Sequence, residues 1–180
     1  VVWEADDANL KKALRMGVDM HCMNAVDIYR IKGIPVDELV ESHPNYPDRR
    51  GQITEELRQR AKGGVHAVDY ACKARTLAVA LGCTVHEADK FIDDWFAAHP
   101  GIKRWHTRTE HELHSKRSVS NAFGFRRYYF DRIENLLPEA LAWKPQSTVA
   151  ITINKIWRNI YDHLPEVQVL LQVHDSLAGQ

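Results

Sequence analysis

The spacing of hydrophobic residues predicts a chain made mostly of helices. Between positions 84 and 99, apolar side chains recur every three or four residues, the period of an amphipathic helix. They are Ala88, Phe91, Ile92, Trp95 and Phe96. Thr84 and Glu87 have the spacing of a capping box that starts this helix, and His99-Pro100-Gly101 ends it.

Similar patterns predict further helices and one strand. The other helices are expected over residues 54–70, 73–81, 102–116 and 147–163. Two more are expected in the N-terminal region, separated near Gly17, the second with Asp19 as N-cap. Residues 33–51 predict a loop with one short helical turn, and residues 119–133 a hairpin or loop. The apolar, β-branched run 167–173 predicts a strand buried on at least one face, so the fold class is mainly α with a small β contribution.

The composition is that of a globular protein. With 180 residues, 44% hydrophobic and 27% charged, the chain is long enough for one domain or for parts of two. The 24 basic residues balance the 24 acidic ones, so net charge neither indicates nor excludes a nucleic-acid partner. The 3 cysteines form no CxxC pair, which argues against a disulfide framework or a structural zinc site. No apolar run approaches the roughly 18 residues of a membrane span, and there is no signal-peptide pattern. We therefore expect a cytoplasmic protein with no membrane partner.

Both ends of the chain are unusual for a complete gene product. It opens at Val1-Val2-Trp3 without a methionine, and it closes at Gly179-Gln180, just after the apolar run has reached its turn. A strand without a partner at this place would leave an unpaired edge. We therefore expect the chain to be an internal fragment of a longer protein.

The most informative polar pattern is a row of four side chains on the predicted helix 54–70. The four residues are Arg58, Lys62, His66 and Tyr70. Because they recur every fourth position, they lie along one helix face. The row suits a nucleoside triphosphate, with the cations on phosphate oxygens and the flat rings against a sugar or base. A solvated basic helix edge, with the phenol simply packed, is the alternative. Gly63-Gly64 in the same helix indicates a bend, a hinge or a close backbone approach, and the alternative is that the helix simply tolerates the two glycines.

A second polar group follows the predicted strand, in Gln172-Val173-His174-Asp175. A strand that ends in His-Asp at a turn can direct a carboxylate into a cleft. Carboxylate oxygens suit Mg²⁺, which binds one or two of them together with substrate phosphates. Ordinary turn chemistry is the alternative, because Asp is common in turns.

Together, the two patterns resemble motifs B and C of the family A DNA polymerases. The row from Arg58 to Tyr70 precedes His174-Asp175 by about a hundred residues, as in that family. Other segments are similar in the same order. They are Asp19-Met20-His21 before motif B, then His99-Pro100-Gly101-Ile102, Gly124-Phe125-Arg126-Arg127 and Pro145-Gln146-Ser147-Thr148. The resemblance covers nearly the whole chain.

The resemblance implies a nucleotide-binding role for the row. Arg58 and Lys62 would bind the triphosphate of the incoming nucleotide, with His21 as a third phosphate contact. His66 would stack against the sugar or base. Tyr70 would pack beside the templating base and gate the nascent pair.

The resemblance also implies contacts to DNA and metal. Gln146 and His174, together with Tyr70, would contact the primer–template. Asp175 would ligate magnesium, and Asp175 and Lys62 are the implied catalytic residues. The essential aspartate of motif A would precede Val1, so we expect the isolated fragment to be inactive.

The implied architecture is the fingers and a partial palm of a right-hand polymerase. Residues 1–53 would hold palm-to-fingers helices and a loop, 54–118 the fingers helices, and 119–180 the return to the palm with the long helix and the motif C strand. The implied activity is template-directed addition of deoxynucleotides to a primer 3′ end with release of pyrophosphate. The implied enzyme is a monomer that uses two Mg²⁺ ions and binds primer–template DNA and deoxynucleoside triphosphates.

Several positions depart from the family pattern. His66 stands where Phe or Tyr is usual, Ala67 and Ala71 replace glycines, and Ser176 replaces a second acidic residue. Such departures favour a phage-type member acting in a host cytoplasm. Two other interpretations stay open. The first is a single-subunit phage-type RNA polymerase, which shares the Arg, Lys and Tyr row and often has His-Asp-Ser in motif C. The second is a non-catalytic helical interaction module, which the neutral net charge supports.

Overall fold

The computed structural model describes residues 1–180, apart from the side chain of Glu134. The chain divides into two compact units, Val1–Arg108 and Thr109–Gln180. Helices dominate the chain, and its strands form two small hairpins, which confirms the prediction of a mainly α fold with a small β contribution. The predicted division at residues 53 and 118 stays a prediction.

The first unit is built from helices. They are α1 (Val2–Ala5), α2 (Ala8–Arg15), α3 (Met20–Tyr29), a 3₁₀ turn (Val36–Leu39), α4 (Tyr46–Gly51), α5 (Glu55–Asp69), α6 (Ala74–Leu81), α7 (Val85–Ala98) and the start of α8 (Pro100–Lys116). The cap predictions hold, since the Asp19 carboxylate accepts from the amides of His21 and Cys22 at the start of α3. Thr84 and Glu87 form the complete capping box of α7.

Helix α4 was not predicted from the sequence. Residues 33–51 were expected to form a loop with one short turn, yet α4 occupies the end of that stretch. Pro47 lies in the first turn of α4, where the missing N–H of proline costs no helical hydrogen bond. Proline therefore starts this helix, whereas the sequence pattern treated it as a loop residue.

Small residues let the helices around α5 approach closely. Ala25 of α3 and Ala61 of α5 are both fully buried in the core between these two helices. A Cβ atom added at Gly64 would lie 2.5 Å from Cδ2 of Leu81 in α6. Gly63 has nothing within 4 Å of the same position. The predicted close approach is therefore found at Gly64, and it fixes α6 against α5.

The second unit contains a hairpin, a long helix and a second hairpin. Its elements are the end of α8, β1 (Ser118–Ser120), β2 (Arg126–Tyr128), a 3₁₀ turn (Ile133–Asn135), α9 (Leu137–His163), β3 (Val169–Val173) and β4 (Ser176–Gly179). The hairpin expected in 119–133 is confirmed by the antiparallel pairing of Ser118 with Tyr128. Helix α9 begins ten residues before the predicted start at residue 147, because Ala140 and Leu141 are fully buried and hold its first turns in the core.

The predicted strand is present, but its predicted burial is wrong. Leu170, Leu171 and Val173 are 62%, 55% and 48% exposed. Among the described residues, β3 pairs only with β4, and a two-stranded sheet leaves both faces largely open. No described helix of the chain is long and apolar enough to cross a membrane.

Candidate functional site

The predicted row lies along one side of α5. Thr54 caps the helix by accepting a hydrogen bond from the amide of Leu57. Arg58 and Lys62 are partly exposed and His66 is exposed, while the row ends at Tyr70, the C-cap residue. The His66 and Tyr70 rings are nearly parallel at 23°, with centroids 6.5 Å apart. The structure therefore brings the four side chains together as the spacing predicts.

His21 joins this row from α3. Its ring centroid lies 6.5 Å from that of His66, because α3 packs directly against α5. The Nδ1 atom of His21 is buried and has no hydrogen-bond partner within the described part of the chain. Burial, and then the cations of Arg58 and Lys62, lower the pKa of His21, so the ring is neutral at pH 7. Because this ring is neutral, the positive charge beside it comes from Arg58 and Lys62. That charge attracts an anionic ligand.

Asp19 connects to the row through Arg58, a contact that the sequence did not reveal. Nε and one terminal nitrogen of Arg58 lie 3.4 and 3.5 Å from the two carboxylate oxygens of Asp19. These distances are long for charge-assisted hydrogen bonds. The Arg58 side chain is still 23% exposed, so its guanidinium can also meet an outside anion. Asp19 therefore orients Arg58 without fully engaging it.

Several donors hold the Asp19 carboxylate in place. The Cys22 thiol and the Tyr46 hydroxyl donate to Oδ2 at 3.2 and 3.0 Å. Burial by itself would raise the pKa of Asp19, but hydrogen bonds from Cys22 and Tyr46 and the charge of Arg58 outweigh it and lower the pKa to about 2. Burial and the same carboxylate raise the pKa of Tyr46 to about 12, so this hydroxyl stays a donor.

The face presented by the row is cationic. Lys62 forms no ion pair with any residue whose side chain is described, so its charge is not neutralised locally. Partial desolvation of the ring by its neighbours, and then the charge of Lys62, lower the pKa of His66 below its ordinary value. The result is a surface with a fixed guanidinium, an unpaired ammonium and neutral rings. Such a surface can bind phosphate oxygens at one end and a flat ring system at the other.

In the second unit, Gln146 lies exposed on α9, next to Pro145. The two residues that follow it contact the loop of the first hairpin. The Ser147 hydroxyl accepts from the side-chain amide of Asn121 at 3.0 Å, and Thr148 Oγ1 accepts from the Ala122 amide at 3.4 Å. These contacts fix the orientation of the helix segment that carries Gln146.

His174 and Asp175 form the two-residue turn between β3 and β4. Both side chains are exposed, and His174 has a φ of 52°, in the left-handed region that non-glycine residues rarely occupy. The carboxylate therefore lies at a hairpin tip, as predicted. No group of three His, Cys, Asp or Glu side chains suited to a metal occurs among the described residues. The Asp175 carboxylate therefore belongs to no such cluster in the part of the chain that the structure describes.

Comparison with known proteins identifies the kind of fold. The chain is similar to the POL domain of Pol1 from M. smegmatis, solved in complex with DNA primer-template and dNTP, with a TM-score of 0.76 and 26% identity. The match covers 98% of this chain and 30% of that one. This fold is that of a polymerase domain.

The family follows from the sequence. The model of DNA polymerase family A matches residues 4–180, and the chain belongs to that family. It is 28% identical to DNA polymerase I of Geobacillus stearothermophilus over 96% of the chain and 19% of that protein. It is 29% identical to DNA polymerase I of Rhizobium leguminosarum, over 96% of the chain and 17% of that protein. The chain thus spans about a fifth of the length of these relatives.

Proposed function

We propose that this chain supplies the fingers and part of the palm of a template-directed DNA polymerase. In this proposal, the enzyme adds deoxynucleotides to a primer 3′ end and releases pyrophosphate. The observation that carries it is the cationic face of α5, joined by His21, in a chain of DNA polymerase family A. The solved relative in complex with primer–template and dNTP supports the same two partners. The family match favours DNA polymerase over the RNA polymerase and interaction-module interpretations.

The triphosphate is bound by Arg58, Lys62 and His21. The Asp19 carboxylate presents the guanidinium of Arg58 in a fixed orientation, which lowers the entropy lost when a phosphate binds. Lys62 contributes an unpaired charge on the same face. This positioning of charge is what phosphoryl transfer needs, because its catalysis rests on placement and electrostatics.

The ring-bearing end of the row faces the nucleoside. His66 stacks against the sugar or base, and Tyr70 packs beside the templating base and gates the nascent pair. The near-parallel arrangement of the two rings supports this role, since it leaves their faces aligned along one side of the helix. The imidazole at position 66 makes this contact weaker and more polar than a phenyl ring would.

The second unit supplies the DNA and metal contacts. Gln146 and His174 contact the primer–template, and Asp175 is the one magnesium-ligating carboxylate that these residues contribute. A two-metal site needs more than one carboxylate, and the described residues form no cluster of three side chains suited to a metal. The chain alone is therefore expected not to extend a primer. We also propose that the chain comprises the three segments 1–53, 54–118 and 119–180. The polymerase is proposed to be monomeric and cytoplasmic.

A pair of lysine variants tests the nucleotide-binding role. Lys62→Ala in the polymerase that contains this chain should raise the KM for dNTP and lower kcat/KM by about tenfold to a hundredfold, as expected for loss of one charged contact. Lys90→Ala is the matched control, because Lys90 on α7 pairs with the exposed Asp94. Equal dNTP KM values for the two variants would overturn the assignment of Lys62. Template-directed incorporation of ribonucleotides in preference to deoxynucleotides would overturn the DNA polymerase proposal itself.

A further inference from the structure

The end of α5 is held by an unusual buried carboxyl group. Asp69, the last residue of the helix, is only 6% exposed. Its Oδ1 accepts a hydrogen bond of 3.2 Å from Nε1 of Trp95 in α7. A carboxyl group is rarely buried to this extent unless it is paired, and here its described partner is an indole N–H. The hydrogen bond therefore fixes the position of Asp69 relative to Trp95, which apolar packing at this position would not do.

The main chain of the same residue is held from another helix. Nε2 of His106 in α8 donates to the carbonyl oxygen of Asp69 at 2.8 Å. This carbonyl lies in the last turn of α5, where backbone acceptors have no partner in the helix. Burial lowers the pKa of His106, so the ring is neutral, and the carbonyl acceptor requires the proton to be on Nε2. The ring also packs edge-on against Phe96, with centroids 5.3 Å apart.

The backbone that follows needs such support. Tyr70 is the C-cap residue, and Ala71 after it has a φ of 59° in the left-handed region. Alanine disfavours this conformation, and it persists only where the surroundings hold it. Hydrogen bonds from the amides of Ala71 and Cys72 back to Val68 and Ala67 close the end of the helix.

We propose that Trp95 and His106 clamp Asp69 and so position Tyr70 at the end of α5. We call this set, Asp69, Trp95 and His106, the α5 latch. Its members are positioning residues, since they act on the nascent base pair only through Tyr70. The inference rests on the proposed function for the role of Tyr70, while the clamp itself rests on the contacts above. Loss of the latch should loosen Tyr70 and weaken the selection of the correct nucleotide.

Two tryptophans provide a matched test. Trp95 and Trp105 are both buried in the first unit, but the Nε1 of Trp105 has no hydrogen-bond partner among the residues described. Trp95→Phe removes the bond to Asp69, whereas Trp105→Phe removes an N–H group that bonds nothing. The ratio of kcat/KM for correct and incorrect dNTP should fall about two- to tenfold in Trp95→Phe, the range for one hydrogen bond. It should stay within about twofold of wild type in Trp105→Phe.

A conservative variant and an exchange measurement complete the test. Asp69→Asn keeps an oxygen acceptor for Trp95 and should retain wild-type discrimination, while Asp69→Leu should behave like Trp95→Phe. Hydrogen exchange of the amides of residues 70–72 should be faster in Trp95→Phe and in His106→Leu than in Trp105→Phe. Equal exchange in these variants would overturn the latch, whether or not the protein polymerises DNA.

Activity separates the two proposals. If the wild-type polymerase that contains this chain extends a primer but its Trp95→Phe and Trp105→Phe variants discriminate equally, the latch is wrong and the proposed function stands. If that wild-type polymerase does not extend a primer, the proposed function fails, and the exchange rates alone decide whether the clamp exists. A Trp95→Phe protein that does not fold is replaced by His106→Leu, which removes the main-chain contact instead.

Discussion

Replacing Asp19 by Asn tests how the triphosphate-binding face is organised. The amide keeps an oxygen that can accept from the backbone N–H groups of His21 and Cys22. It loses the negative charge that faces Arg58 and that is held by the Tyr46 hydroxyl. The variant therefore removes charge while changing little in shape.

The size of the effect follows from the pKa of the carboxyl group. Asp19 has a pKa of about 2 in the folded chain, against an ordinary value of 3.8. Because the folded-state pKa is the lower one, the ionised group stabilises the fold above pH 4, and this stabilisation is lost as pH falls towards 2. The difference corresponds to about 2 kcal/mol at pH 7. We expect Asp19→Asn to be less stable by about that amount at pH 7, and the gap to close below pH 3.

Urea unfolding at several pH values measures this effect. Exchange of the His21 and Cys22 amides reports on the site itself. Asp37→Asn is the control, because Asp37 is exposed and forms no ion pair with any described side chain. A stability difference between wild type and Asp19→Asn that does not change from pH 7 to pH 2 would refute the linkage argument. In the polymerase, the variant should also weaken dNTP binding, because Arg58 loses the nearer of its two carboxylate partners, Asp19 at 3.4 Å, and keeps only Glu55 at 3.8 Å.

Three further outcomes are expected. Gly64→Ala should destabilise the fold by about 1–3 kcal/mol because its Cβ would collide with Leu81. Gly63→Ala should be neutral or stabilising, since nothing lies within 4 Å of its Cβ position. Equal effects of the two variants in urea unfolding would contradict the close packing of Gly64 on Leu81. Burial raises the pKa of Asp69 to about 7, so the folded chain keeps a proton that the unfolded chain releases near pH 4. Stability should therefore fall as pH rises from about 4 to 7, and unfolding of Asp69→Asn should lack this slope. The pKa of His66 is lowered from its ordinary value of 6.5, so the part of the pH dependence of dNTP incorporation that comes from this ring should lie below about pH 6.5. His66→Phe should lack this part, and identical pH profiles for the two proteins would contradict the prediction.

Local patterns in the sequence predicted most of the candidate site. The four-residue period of the row, the Asp19 cap and the turn at His174 depend on neighbours within a few positions, and the structure confirms each local geometry. The contact of Asp19 with Arg58 joins residues 39 positions apart, and that of Tyr46 with Asp19 joins residues 27 apart. Nothing in the local pattern reports such contacts, so the sequence identified Asp19 as a cap and as part of the segment before motif B, but not as a partner of Arg58 or Tyr46.

The remaining errors have similar causes. Helices α4 and α9 each have a proline in the first turn, Pro47 and Pro138. Neither proline was interpreted from the sequence as a helix start. The burial of β3 was inferred from its apolar residues, but burial depends on what covers the strand. Among the residues described, its sheet has only β4 as a second strand, so the apolar side chains of β3 stay exposed. The periodicity of a segment predicts its type of secondary structure and its apolar face. It does not predict which other segments pack against that face.

The proposed function requires that the cationic face of α5 binds the triphosphate of an incoming nucleotide. Hydrogen exchange of residues 55–70 in the polymerase bound to primer–template measures this directly, with and without the matching dNTP and Mg²⁺. A primer ending in a dideoxynucleotide prevents turnover during the measurement. We expect slower exchange along α5 with the matching dNTP, and a smaller change in Lys62→Ala. Unchanged exchange in α5, under conditions where an unblocked primer is extended, would contradict the claim.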